Sequence, residues 1–148
     1  MPMIFDRIAI IGAGLIGASI ARAAREQGAA NTIAIYDANA AVRARVRELD
    51  LGEVFDEAEK AVAQAELVVL AVPVGAMGPA AAACARGLKV GAIVTDVGSV
   101  KQAVVDAVAG ALPAHVYFVP GHPLAGTEHS GPDAGFATLF HNRWQILT

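Results

Sequence analysis

His122 sits in Gly121-His122-Pro123-Leu124-Ala125-Gly126-Thr127-Glu128, a block that follows the apolar run Val116-Tyr117-Phe118-Val119. An imidazole titrates near neutrality, so a histidine held there can take a proton from an alcohol as hydride leaves the same carbon. On its own such a histidine reads as a loop residue that satisfies backbone groups. Gly121, Pro123 and Gly126 around it favour the catalytic reading. Three further turns also follow apolar runs: Gly12-Ala13-Gly14-Leu15-Ile16-Gly17, Ala71-Val72-Pro73-Val74 and Thr95-Asp96-Val97-Gly98-Ser99-Val100-Lys101.

The first of these fits G-x-G-x-x-G. That pattern is weak alone in a chain with 15 glycines, but here it leaves a strand candidate and opens a helix, as the motif requires. Gly12 permits the tight turn, Gly14 lets the backbone approach a pyrophosphate, and Gly17 lets helix and strand pack closely. Leu15 and Ile16 begin the helix, whose amino end offers N–H groups and a positive dipole end. Asp37 stands twenty residues after Gly17, at the end of the next strand candidate. A carboxylate there accepts hydrogen bonds from adenosine ribose hydroxyls and repels a 2′-phosphate, which favours NAD over NADP. The competing reading of Asp37 is a turn acid that caps the next helix. Arg43, Arg45 and Arg47 read as a solvated helix face.

In the second turn, Val72 and Pro73 shape a nicotinamide or ribose pocket without doing chemistry, since Pro73 has a fixed backbone and no N–H. In the third, Ser99 has two compatible readings. Ser99-Val100-Lys101-Gln102 matches a helix capping box, and the same serine lies where substrate contact is expected. Lys101 reads as a solvated first-turn residue, and Asp96 reads as a residue that could orient a neighbouring loop, with no nameable partner. His129 is balanced between pocket and solvent; His115 and His141 read as peripheral. No histidine–carboxylate spacing matches a metal site.

Positioning these residues falls to a regular alternation of elements. Continuous apolar runs predict strands over Arg7–Ile11, Thr32–Tyr36, Leu67–Ala71, Ile93–Thr95 and Val116–Val119, as for strands buried on both faces. Helices are expected over Leu15–Gln27, Ala40–Leu49, Met77–Arg86 and Lys101–Ala111, the second with Asn39 as N-cap and Gly52 as its stop. The pattern is α/β, a Rossmann-type doubly wound, mostly parallel sheet. In such a sheet all four turns gather at the carboxyl edge, where ligands bind.

The chain has 148 residues, one ordinary domain over 1–148 with room for a real core. Its most apolar stretch, Leu67 to Met77, is too short for a bilayer and is broken by Pro73 and Gly75. A formal net charge of −3 with three lysines argues against nucleic acid and acidic membrane as partners. The N-terminus carries no targeting signal, and the single cysteine, Cys84, reads as a small core residue in a reducing cytoplasm. Arg143-Trp144-Gln145-Ile146-Leu147-Thr148 resembles the opening of a further strand or a domain junction, so the expectation is a chain truncated after Thr148.

Together the glycine turn, Ala-Val-Pro-Val, Thr-Asp-Val-Gly-Ser-Val-Lys, Gly-His-Pro-Leu-Ala-Gly-Thr-Glu and the terminal Trp-x-Ile-Leu-Thr resemble the prephenate/arogenate (cyclohexadienyl) dehydrogenase family from about Ile8 to Thr148. The resemblance implies NAD-dependent oxidative decarboxylation of prephenate or arogenate in tyrosine biosynthesis. It implies that His122 hydrogen-bonds the substrate 4-hydroxyl and accepts its proton, and that Ser99 helps hold both. Gly121, Thr127, Glu128 and His129 are then substrate-proximal, with Glu128 near the entrance. The family has a second, helical domain that supplies the homodimer interface and arginines for the substrate carboxylates; its absence implies little or no turnover by this chain alone. Two other functions fit the early motifs: a 3-hydroxyacid-type dehydrogenase domain, and a non-catalytic NAD-binding remnant or regulatory module.

Overall fold

The computed structural model describes residues 3–98, 101–123, 132 and 145–147. Its elements are β1 (Phe5–Ile11), α1 (Leu15–Gln27), β2 (Ala30–Tyr36), α2 (Ala40–Leu49), β3 (Glu53–Val54), α3 (Ala58–Val62) and β4 (Leu67–Leu70). They continue with α4 (Met77–Cys84), β5 (Ile93–Asp96), α5 (Lys101–Ala109), β6 (Tyr117–Val119), β7 (Gly121–Pro123) and β8 (Gln145–Leu147). Strands β1 to β6 form one sheet in the order β3-β2-β1-β4-β5-β6, and every pairing in it is parallel. The chain runs outward from β1 through β2 and β3, then crosses to β4 on the other side of β1. That reversal is the topological switch point of a doubly wound sheet, and it opens a crevice at the carboxyl ends of β1 and β4.

Alternation along the strands feeds two cores. Ile8 and Ile10 pack with Ile33, Ile35 and Val69 under α1 and α2, whose buried residues include Ala18, Ala21, Ala24 and Val46. Ala9 and Ile11 face the other way with Ala34, Val68, Leu70 and Val94, under Ala61, Met77, Ala81, Val104 and Val108 from α3, α4 and α5. Both faces of the central strands are therefore dry, which is why their sequences are continuously apolar. Alanine supplies much of the helical side of both cores and lets the helices lie close to the sheet.

The expected strands and the first two helices are present within a residue or two. Three short elements went unanticipated: β3, with two residues, α3, with five, and β7, with three, in the stretch read as a loop. Gly52 does not stop α2. Asp50 takes the left-handed position there, with φ 52°. Gly52 instead lies against β2, where an added Cβ would stand 2.7 Å from the carbonyl oxygen of Ile33. Asn39 does cap α2, its Oδ1 accepting from the N–H of Ala41 at 2.9 Å and of Val42 at 3.4 Å.

Candidate nucleotide-binding and catalytic edge

The glycine turn joins β1 to α1 under tight steric control. Gly12 has φ +102°, and a Cβ on it would meet the carbonyl oxygen of Ala71 at 2.5 Å. Only glycine combines that backbone with that proximity. A Cβ on Gly17 would lie 1.9 Å from the carbonyl oxygen of Gly12, so helix and turn touch through hydrogen alone. Gly14 differs: a Cβ there would have nothing within 4 Å. Gly14 is the N-cap of α1 and provides no side-chain cap, so the first N–H groups of the helix, ahead of half-buried Leu15 and Ile16, stay available to an anion.

Asp37 follows β2 directly. Its Oδ2 accepts from the N–H of Ala13 at 2.9 Å, and its Oδ1 from the N–H of Asn39 at 2.9 Å. The carboxylate therefore stands beside the glycine turn, as a ribose ligand must. It also holds a turn N–H, so part of the competing reading is true, while the helix cap itself is Asn39. A cleft of about 190 Å³ opens next to it, with Gly12, Tyr36, Ala38, Val72, Ala76 and Ala80 in its wall. Its lining is mostly apolar, as a flat heterocycle requires. Val72 is part of that wall. Pro73 is exposed and its carbonyl accepts from the N–H of Ala76 at 2.8 Å, so it shapes the turn into α4.

The solvated reading holds for two of the three arginines on α2. Arg45 and Arg47 are about half exposed, whereas the Arg43 side chain is 17% exposed. Its guanidinium donates to the carbonyl oxygen of Asp37 at 2.8 Å and lies 5.8 Å from the centre of the Tyr36 ring. Arg43 thus braces the strand end that carries Asp37. Arg43 stands six positions from Asp37 and seven from Tyr36 in sequence, too far for a helix-face rule to connect them.

Asp96 ends β5 and is fully buried. Its Oδ2 accepts from the N–H of Gly98 at 2.7 Å and from the Lys101 ammonium. Its Oδ1 accepts from the N–H of Gly121 at 3.1 Å, and Lys101 also donates to the carbonyl oxygen of Gly121. The solvated reading of Lys101 is therefore overturned: its side chain is 19% exposed and ion-paired to a carboxylate that no water reaches. The backbone of His122 lies in β7, opposite Ile146 of β8. Ser99, Thr127, Glu128, His129 and His141 lie outside the described residues. His115 is remote, in the loop before β6 with Nε2 2.9 Å from the carbonyl oxygen of Leu88. Cys84 is buried and unpaired, and burial pushes its thiol up to about 12. Among the described residues no group of three or more His, Cys, Asp or Glu could hold a metal ion.

An open switch-point crevice, a bare helix N-terminus and an acid at the end of the second strand define a Rossmann-type nucleotide-binding domain. The sequence model of the nucleotide-binding domain of prephenate dehydrogenase matches residues 20–148, and the chain belongs to that family. It is 51% identical to a cyclohexadienyl dehydrogenase of Zymomonas mobilis over 98% of this chain and 50% of that protein. It is 37% identical to a prephenate dehydrogenase of Bacillus subtilis over all of this chain and 40% of the other. The chain thus spans about half the length of the curated relatives it matches. Among solved structures, prephenate dehydrogenase of Aquifex aeolicus, in complex with hydroxyphenyl propionate and NAD+, superposes with a TM-score of 0.86 at 31% identity. That match covers 100% of this chain and 51% of the other. An arogenate dehydrogenase of Synechocystis gives 0.85 at 30% identity, over 96% of this chain and 49% of that one.

Proposed function

We propose that this chain carries the NAD site and the proton-accepting histidine of an enzyme that oxidatively decarboxylates prephenate or arogenate. The observation that carries this reading is the hydrogen bond from Gly121 to Asp96. It draws the backbone next to His122 to the carboxyl edge of the sheet that also bears the glycine turn and Asp37. The residues present fit the cofactor. Open space at Gly14 and uncapped N–H groups on α1 suit a pyrophosphate, the Asp37 carboxylate suits ribose hydroxyls, and the cleft along Val72 suits adenine.

NAD, when bound, supplies the hydride acceptor for the ring carbon that bears the substrate's 4-hydroxyl. His122 takes up the hydroxyl proton as hydride departs and returns it to the phenolic oxygen once CO2 has left and the ring is aromatic. Ser99 holds the same hydroxyl and the histidine in line. Family resemblance assigns Gly121, Thr127, Glu128 and His129 to the substrate's approach, with Glu128 at the entrance. Aromatisation drives the step, so alignment of the donor carbon is the protein's main task. Family resemblance supports a second copy of the protein as partner, and an unpaired, buried Cys84 supports a reducing cytoplasm. Among the described residues no helix is long and apolar enough to cross a membrane.

The complete gene product, given NAD and then prephenate or arogenate, should form NADH, and His122→Asn should abolish it. NADH formation that survives in His122→Asn would remove the histidine from the mechanism. No NADH with either substrate would remove the reaction.

A further inference from the structure

We propose that Asp96 and Lys101 are a positioning pair that sets the backbone of His122 against the end of β5. Resting on the function proposed above, this assigns a role to two residues that need not touch substrate or cofactor. Asp96 is 0% exposed, and a carboxylate is buried so completely only when hydrogen-bond donors replace the water it has lost. Its donors come from three places. Gly98 precedes the Ser99 turn, Lys101 opens α5, and Gly121 begins β7.

The arrangement at Gly121 is a two-point clamp. The N–H of Gly121 donates to Asp96, and the carbonyl of the same residue accepts from Lys101, which is itself paired with Asp96. The carbonyl held by Lys101 belongs to the peptide that joins Gly121 to His122, so the clamp fixes the plane from which the His122 backbone continues. On its other side β8 pairs with β7, setting His122 opposite Ile146. The histidine backbone is thus fixed by a charge pair on one side and a strand on the other. The same carboxylate holds Gly98, one residue before Ser99, so a single buried group indexes both turns that bear the proposed catalytic side chains. A helix-capping acid would have no reason to bond a strand 25 residues away.

Two variants separate this role from simple support of the fold. Lys101→Met leaves Asp96 its two amide donors but removes both its ion pair and the link to the Gly121 carbonyl; Lys101→Arg restores charge and donors. In the 148-residue chain, amide exchange read by NMR should be roughly tenfold or more faster at Gly121 in Lys101→Met, with a shifted His122 amide. In the complete gene product kcat should fall about 10- to 100-fold while NAD affinity stays within about twofold, and Lys101→Arg should recover most of the loss. Unchanged Gly121 exchange in folded Lys101→Met overturns the proposal, as does an unchanged kcat. Failure of the wild-type gene product to oxidise either substrate would instead sink the assigned reaction, and the exchange measurement would still decide whether the pair positions this backbone.

Discussion

Three glycines of one turn do three separable jobs, and alanine distinguishes them. A methyl on Gly17 collides with the Gly12 carbonyl, so Gly17→Ala should cost about 1–3 kcal/mol or more through forced displacement of α1. At this chain length that lowers the melting temperature by roughly 2–4 °C per kcal/mol, read by circular dichroism. Gly14→Ala meets open space, so its melting temperature should match wild type while NAD binding, measured by calorimetry, is lost. Equal melting losses in the two variants would refute the separation. Cys84 provides a pH test. Its thiol is raised from 9.0 to about 12 by burial, so below pH 9 folded and unfolded chains are both protonated and the full stability is present. Between pH 9 and about 12 the unfolded chain gives up this proton and the folded chain keeps it, so stability falls as pH rises. The unfolding free energy of wild type, read from urea titrations, should therefore drop more steeply than that of Cys84→Ala over that window, by up to about 1.4 kcal/mol per pH unit.

Elements differ in how plainly the sequence announces them. The β1 run Ile8-Ala9-Ile10-Ile11 is apolar at every position because its two faces serve different cores, and that is readable without coordinates. So is the α2 start, since Asn39 is a good acceptor directly before a helical stretch. Asn39→Ala should cost about 1 kcal/mol, a melting loss of about 2–4 °C in a thermal scan; no loss would mean that tertiary packing alone holds the first turn. By contrast β3 has two residues and α3 five, fewer than a period needs to declare itself. The reason for glycine at position 52 lies in β2, and the partners of Lys101 lie in β5 and β7. Such contacts join residues that only the folded topology brings together. A lysine in the first turn of a helix carries no mark that distinguishes a solvated cation from one drawn inward, which is why the clamp on Gly121 was illegible.

At the scale of the whole molecule, ligand and fold are coupled by mass action. NAD at a hundred times its dissociation constant should stabilise the chain by about 2.7 kcal/mol, raising its melting temperature by roughly 5–10 °C. NADP at the same concentration should do much less, because Asp37 would face the 2′-phosphate. In Asp37→Asn the NAD effect should shrink, with affinity about 10- to 100-fold weaker, and the gap between the two cofactors should narrow. A wild-type chain that both cofactors stabilise equally would contradict the role given to Asp37. The strand order carries a consequence for how the polypeptide is made. β1 leaves the ribosome before the other strands of its sheet, yet it ends up between β2 and β4. One flank can close once Ala30–Tyr36 has emerged; the other stays an open, apolar template until Leu67–Leu70 arrives. For that span the nascent chain displays a bare parallel edge with no nearby partner, the kind of surface that recruits chaperones or stray strands. The strand that anchors the nucleotide turn is thus also the one most exposed to misassembly during synthesis.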